Sequence, residues 1–378
     1  MKNLTFQSVL VTICILIILS TTYIYGVDKD ATFNVQKGDK LVINIQQGNI
    51  IVNTWDKNEV KIHATNIDQD EVSMLTMEQK SGQVEIKFKG EDSDNFKVEL
   101  TISADMVLDF NTGGGNISIN DDLKSKASLN SGGGNISTKN VFGNTEVATG
   151  GGNITIADVN GDADITTAGG DIQVGDVNGK ADISTAGGNI KVSSVNSTAD
   201  ISTAGGNVNV GSIGGSADVS TAGGNVTVGL VSGKADISTA GGNINLDGAT
   251  GTVEASSGAG NINLKNIKGS IEANTGAGNI TAELTPDGKN KSELNSGVGS
   301  ITLYVPESAK ATIIATTSDY KWGDSEKGSN SIKSEFESYN VTQNRKGNKF
   351  ESVYKLNGGG SEIELNVGMG DINIKKLK

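Results

Sequence analysis

Through the middle of the chain, short runs of alternating apolar and polar residues come in pairs. Taking Asn189 as an origin, Ile190 and Val192 flank Lys191, Val195 follows, and Ala199, Ile201 and Thr203 alternate with Asp200 and Ser202. A period of two predicts strands with one face turned inward. The runs are separated at Asn196-Ser197 and at Ala204-Gly205-Gly206, residue types that suit turn backbones. Each unit therefore reads strand, turn, strand, turn.

The unit recurs from Asn135 to Ala282. Asn135, Asn153, Asp171, Asn189, Asn207, Asn225, Asn243, Asn261 and Asn279 follow one another at intervals of eighteen residues, Asn116 precedes Asn135 by nineteen, and Gly299-Ser300-Ile301 breaks the spacing. A period this short and strict predicts a solenoid. An antiparallel meander would also fit, but the columns of residues match at eighteen and not at nine. The residue after each of these positions is Ile or Val, and the residue six before runs Val147, Ile165, Ile183, Ile201, Val219, Ile237, Ala255, Ala273. Two strand types, each resembling only its own copies, are what a coil stacked on a coil requires. The predicted fold class is all-β: a single-stranded parallel β-helix, or β-solenoid, of eighteen-residue coils with less regular β caps at both ends.

Identical amides about one strand spacing apart, roughly 4.8 Å, can hydrogen-bond to one another in a ladder. Asn135, Asn153, Asn189, Asn207, Asn225, Asn243, Asn261 and Asn279 are read as that structural ladder. The plainer reading, that Gly-Gly-Asn is a turn written many times, shares the same fold.

Gly-Gly-Asn-Ile-x-Val, with its variants Gly-Ala-Gly-Asn-Ile at Gly258 and Gly276, resembles the repeats of the bacterial β-solenoid families named putative adhesins, which include the head GIN domains and auto-transporter adhesin-like domains. The likeness covers about Gly113 to Leu303, and more weakly Gln47-Gly48-Asn49-Ile50 and Gly368 to Ile374. The resemblance implies a right-handed β-helix at the cell envelope or surface, an adhesive role, and no catalytic residues.

Four segments follow. Residues 1–26 carry a short basic start and an uncharged run from Leu4 to Val27, which reads either as a cleaved secretory signal or as an uncleaved membrane anchor. Either way the body is expected to be extracytoplasmic. Residues 27–112 hold less regular strands that would cap one end, with Gly48-Asn49-Ile50 and Gly82-Gln83-Val84 as earlier occurrences of the motif. Residues 113–303 are the regular solenoid. Residues 304–378 form the second cap, with a polar loop from Ser318 to Lys349 expected to pack as a lid through Trp322, Phe336 and Tyr339, and closing strands at Phe350 to Leu356, Glu362 to Val367 and Asp371 to Ile374. Caps matter because a bare terminal coil is an open edge.

Composition narrows the function. Aromatics make up 4% and Gly reaches 51 residues, which suits a thin interior. The only cysteine, Cys14, lies in the apolar run, so no disulfide is expected in the mature chain; no cofactor is expected either. A polysaccharide-active β-helix enzyme is the first alternative, yet its site would need clustered acids, Arg or His, and the chain has one Arg, Arg345 in the polar loop, and one His, His63 on a cap strand, read as an ordinary exposed side chain. The calcium-binding β-roll pattern fails because Ile or Val stands where its third Gly belongs. Ice binding would need the Thr149, Thr167, Thr185, Thr203, Thr221, Thr239 column outside, but its parity with Ile201 places it inside. A formal charge of −13 disfavours nucleic acid. A surface protein or glycan is the expected partner, with membrane contact only through the N-terminal segment if it is retained.

One further column stands out. Glu146, Asp164, Asp182, Asp200, Asp218, Asp236, Glu254 and Glu272 lie seven before each ladder residue and should face solvent. Two exposed carboxylates at ~4.8 Å repel by about 0.9 kcal/mol in water. The column reads as a solvated face that keeps the sheet from sticking to another, with Lys180 and Lys234 relieving repulsion, or as a weak linear site for divalent cations. No firm metal site is expected.

Overall fold

A computed structural model describes residues 26–90, 95–318, 331–336, 341–346 (backbone alone) and 349–378. It is all-β apart from one 3-10 turn at Val72–Met74, with 17 strands in one sheet, A, and the remainder in a second, B. In the middle both sheets are parallel ladders. Ile190–Val195 of sheet A pairs with Ile172–Val177 and Val208–Ile213, and Ala199–Thr203 of sheet B pairs with Ala181–Thr185 and Ala217–Thr221. Ile183, Ile201 and Val219 are thus register neighbours, and each coil lays its apolar residues directly over those of the last. Six side chains per coil point inward. Around Asn189 these are Ile190, Val192, Val195, Ala199, Ile201 and Thr203, all buried.

Two local devices let coils approach this closely. The glycine before each ladder residue is required by contact rather than by left-handed backbone: a Cβ on Gly188 would stand 2.0 Å from the Gly170 carbonyl oxygen, and one on Gly242 would stand 1.8 Å from that of Gly224. In this column only Gly48, Gly299 and Gly370 have positive φ, at 121°, 140° and 143°. The sequence reading assigned these glycines to turn conformation, and the structure assigns most of them to close stacking. The inward threonine is the second device. The Thr203 hydroxyl donates to the Gly188 carbonyl at 2.9 Å and accepts the Gly206 N–H at 3.3 Å, so one buried side chain satisfies the turns of two coils.

The stacking continues past the break in spacing, and at both ends the order in space departs from the order in sequence. Ser300 stacks on Asn279 despite a separation of 21 residues. At the N-terminal end, Lys40–Ile45 and Asn49–Trp55 form a coil that lies between Gln83–Phe88 with Lys97–Ser103 on its outer side and Val107–Thr112 with Ile117–Ile119 on its inner side. Asn49 therefore meets Asn116 directly. Gln83 pairs with Lys40 in sheet B and is not a ladder position, which corrects the reading of Gly82-Gln83-Val84 as an earlier motif. Outermost are antiparallel strands: Glu59–Ile67 on Lys97–Ser103, Val27–Asn34 on Glu59–Ile67, and Leu75–Lys80 on Gln83–Phe88.

The C-terminal end repeats the arrangement. Ser361–Met369 and Ile372–Leu377 insert between Ser292–Val298 with Ile301–Pro306 and Ala311–Ser318 with Ile332–Ser334. Lys349–Leu356 and then Val341–Lys346 complete the edge in antiparallel pairing. The expected loop from Ser318 to Lys349 thus contains two strands, and Arg345 lies on one of them, with Phe350 as register partner. Phe336 packs against the core. Trp322, Tyr339 and the segment 1–25 lie outside the described residues. Among the described residues no helix is long and apolar enough to cross a membrane.

Candidate functional site

Three surfaces could carry function, and each is a column set by the register. The first is the asparagine corner. The Asn225 N–H donates to Asn207 Oδ1 at 2.8 Å, and the Asn207 N–H donates to Asn189 Oδ1 at 2.9 Å. The contact that recurs in every rung is thus side-chain oxygen to the next backbone N–H; amide-to-amide contacts, such as Asn207 Nδ2 to Asn189 Oδ1 at 3.3 Å, are longer and absent from some rungs. A rung needs only an acceptor. That explains Asp171, whose carboxylate takes the Asn189 N–H at 2.7 Å. The ladder runs from Asn49 to Ser300 and on to Asp371 and Ser331. Hydrogen bonds from the Ser331 N–H and hydroxyl hold the Asp371 carboxyl below its usual range.

The second surface is the acidic face of sheet B. Glu146, Asp164, Asp182, Asp200, Asp218, Asp236, Glu254 and Glu272 are successive register partners, and the structure adds Glu293 and Glu364 to the same line. The two additions follow at intervals of 21 and 71 residues, where the constant spacing had ended. Asp109 stands on the line one coil before Ser128. Burial, then Asp182 and Glu146, push the Asp164 carboxyl up from its ordinary value. Burial, then Asp200 and Asp236, do the same to Asp218, against the smaller opposing effect of Lys234.

Lysines offset this at a few points only. Lys234 pairs with Glu254 at 2.7 Å and reaches Asp236 at 3.8 Å, Lys40 pairs with Asp109 at 2.7 Å, and Lys291 pairs with Glu364 at 2.7 Å and Glu362 at 3.2 Å. Among the described residues the Lys180 ammonium pairs with no carboxylate, its backbone N–H alone bonding Asp162, so the expected relief comes from Lys234 and not from Lys180. A groove of about 950 Å³ follows this face from Lys40 to Asp236. Among the described residues no group of three or more His, Cys, Asp and Glu side chains gathers to hold a metal ion. One carboxylate per coil on a flat face spreads its oxygens along a line, where calcium asks for six to eight around a point.

The third surface is the hydroxyl column beside it. Ser202, Ser220, Ser238 and Ser256 continue into Asn274 and Asn295 along a groove of about 1010 Å³. The threonine column lies on the inner side, with Thr167 1% and Thr221 5% exposed. His63 is partly exposed and bonds Asp30 at 2.8 Å.

No family model matches the chain, and no curated protein matches it. Solved structures do. A Bacteroides fragilis protein described as a "putative adhesin" aligns over 93% of this chain and 97% of its own, with 12% identity and a TM-score of 0.26. A "putative adhesin" from Parabacteroides distasonis aligns over 74% and 97%, with 17% identity and a TM-score of 0.31. A "putative cell adhesion protein" from Clostridium sporogenes aligns over 93% and 100%, with 12% identity and a TM-score of 0.16. At these TM-scores the superpositions are loose, and the architecture rests on the strand registers above.

Proposed function

We propose that the chain is a non-catalytic, adhesin-like module that binds or spaces partners outside the cytoplasm. The observation that carries the reading is the continuity of the outer columns. The acidic line keeps register from Glu146 to Glu364 without a coil that departs to gather convergent side chains, and a long, rigid, regular surface suits contact with an extended partner. The repeat motif's resemblance to adhesin-like solenoids and the apolar N-terminal run support the same reading. The partner expected is a surface protein or glycan. A right-handed coil is inferred as well, because parallel strands joined by crossovers take that hand in nearly all known cases. The experiment is pull-down of matrix proteins, glycans and neighbouring cells with the purified chain, alongside fractionation of the producing cell. Retention of a specific surface partner supports the reading. Recovery of the native protein in the cytoplasm, or hydrolase or lyase activity on a glycan panel that survives rigorous purification, overturns it.

The acidic face carries a subsidiary proposal, that calcium associates with it only in the millimolar range and slightly raises thermal stability. Replacing Asp182, Asp200, Asp218 and Asp236 by Asn should remove that response and leave the fold intact. An unchanged response in this variant overturns the proposal.

A further inference from the structure

One coil has nineteen residues, and the position of the extra residue can be read from the registers. Ile117–Ile119 pair with Ile136–Thr138 at an offset of 19, whereas Leu123 and Val141 pair at an offset of 18, so the insertion falls within Asn120-Asp121-Asp122. The Asp121 carboxylate accepts the Thr54 N–H at 2.8 Å, and Asn120 Nδ2 donates to Asn53 Oδ1 at 3.0 Å. The departure from the repeat is thereby tied to the strand that ends in Trp55. Asp122 Oδ1 accepts the Asn140 N–H at 3.2 Å, which fixes the other end of the insertion.

An open pocket of about 540 Å³ lies here, lined by Trp55, Asp56, Asp121, Asp122, Lys124 and Lys139 among others. The indole is held in place, since Nε1 donates to the Glu59 carbonyl at 2.9 Å. The ammonium groups of Lys57 and Lys61 lie 4.9 and 5.1 Å from its centroid, but neither lysine lines the pocket. Trp55 itself is half-buried and lines the pocket. Among the described residues neither Lys124 nor Lys139 pairs with a carboxylate. A chain with 4% aromatic residues has placed an indole at this inserted corner, beside unpaired donors and several acceptors.

We propose that this pocket binds a saccharide of one or two rings. It rests on the reading of the chain as a binding module and supplies the class of ligand. A sugar ring has an apolar face of C–H groups and a rim of hydroxyls that both donate and accept. An indole face matches the first, and the carboxylates of Asp56 and Asp122 with the ammonium groups of Lys124 and Lys139 match the second. The volume lies within the usual range of small-ligand sites, about 300–1,000 Å³. The polar lining carries two lysines against three aspartates, a balance that favours a neutral polyol over an anion such as phosphate.

The test uses the full chain with Trp322→Phe, which leaves Trp55 as the only indole. Probes are the methyl glycosides of glucose, galactose, mannose and N-acetylglucosamine, with lactose, maltose and cellobiose. At least one probe should shift Trp55 emission saturably at millimolar concentration. Calorimetry on the chain with native Trp322 should show that probe bound about tenfold or more weakly in Trp55→Ala, and weakened also in Lys124→Ala/Lys139→Ala, which leaves the indole and its neighbours in place. A flat emission response to every probe overturns the proposal, as does binding that is unchanged in Trp55→Ala with the β signal retained. Partner capture that survives Trp55→Ala, with no probe bound, overturns the pocket and leaves the module reading standing. Sugar binding at Trp55 without capture of any surface partner does the reverse.

Discussion

The asparagine corner and the acidic face are built by the same rule, one chemically similar side chain per coil at one strand spacing, and they act in opposite directions. At the corner each side chain is an acceptor aimed at a donor of the next coil, so Asn189, Asn207 and Asn225 hold neighbours together. On the face each side chain is an acceptor aimed at another acceptor, so Asp164 and Asp218 have raised carboxyl values through burial and their neighbours' charge. Repetition therefore amplifies whatever the single pair does. The molecule places the cohesive column at the tight turn, where backbone groups need partners, and leaves the repulsive one on a broad sheet that must not adhere to a second sheet.

Substitutions at the corner should produce the largest effects. Gly206→Ala places a Cβ 2.0 Å from the Gly188 carbonyl oxygen, and such overpacking should destabilise by about 1–3 kcal/mol or more. Gly187→Ala, where the nearest atom stands 3.4 Å away, should be close to neutral in the same denaturant titration. Thr203→Val strips the buried Gly188 carbonyl and Gly206 N–H of a shared hydroxyl, and about 1–3 kcal/mol should be lost. Asn207→Ala should lose about 1 kcal/mol, with Asn207→Asp milder because Asp171 already serves as a rung.

The face should respond least, and with the opposite sign. Because Asp164 and Asp218 have folded values above the ordinary one, the folded chain binds more protons than the unfolded chain in the window between them. Their contribution to stability therefore rises as pH falls from neutral into that window. Thermal midpoints should climb slightly on mild acidification or added salt, and Asp164→Asn/Asp218→Asn should flatten both trends. At lower pH the sign reverses as Asp371 and Asp287, whose carboxyls are held below the ordinary range by hydrogen bonds, become protonated. A variant that keeps the full acid response would show that the face is not its source.

The middle of the fold was legible because stacking partners there are a constant distance apart in sequence, so columns such as Ile183, Ile201 and Val219 declare themselves. The ends were legible only as residues. Asn49 and Asp371 carry the motif, but their stacking neighbours are 67 and 71 positions away, and no periodicity reports which coil slips between which. The acidic line was cut short at Glu272 for the same reason, since Glu293 and Glu364 join it across changed intervals. Asn116 announced a nineteen-residue coil, yet nothing local in the sequence links its insertion to Trp55, whose strand lies 67 residues earlier and meets it through Asn53 and Thr54. The glycines were recognised and their purpose misread, because a sequence shows a missing side chain without showing the carbonyl that would collide with one.

The tucked coils at both ends also set a time order. Closing a contact across 67 residues rather than 18 adds about 1.2 kcal/mol of loop-closure entropy, so the interior can zip from neighbour to neighbour while the outer coils must wait for their slots to exist. Folding should begin in the regular middle and finish by inserting Lys40–Trp55 and Ser361–Leu377, with hydrogen-exchange protection appearing last in those segments during refolding. The same order run backwards makes each inserted coil a lock, because its neighbours on both sides must separate before it can leave.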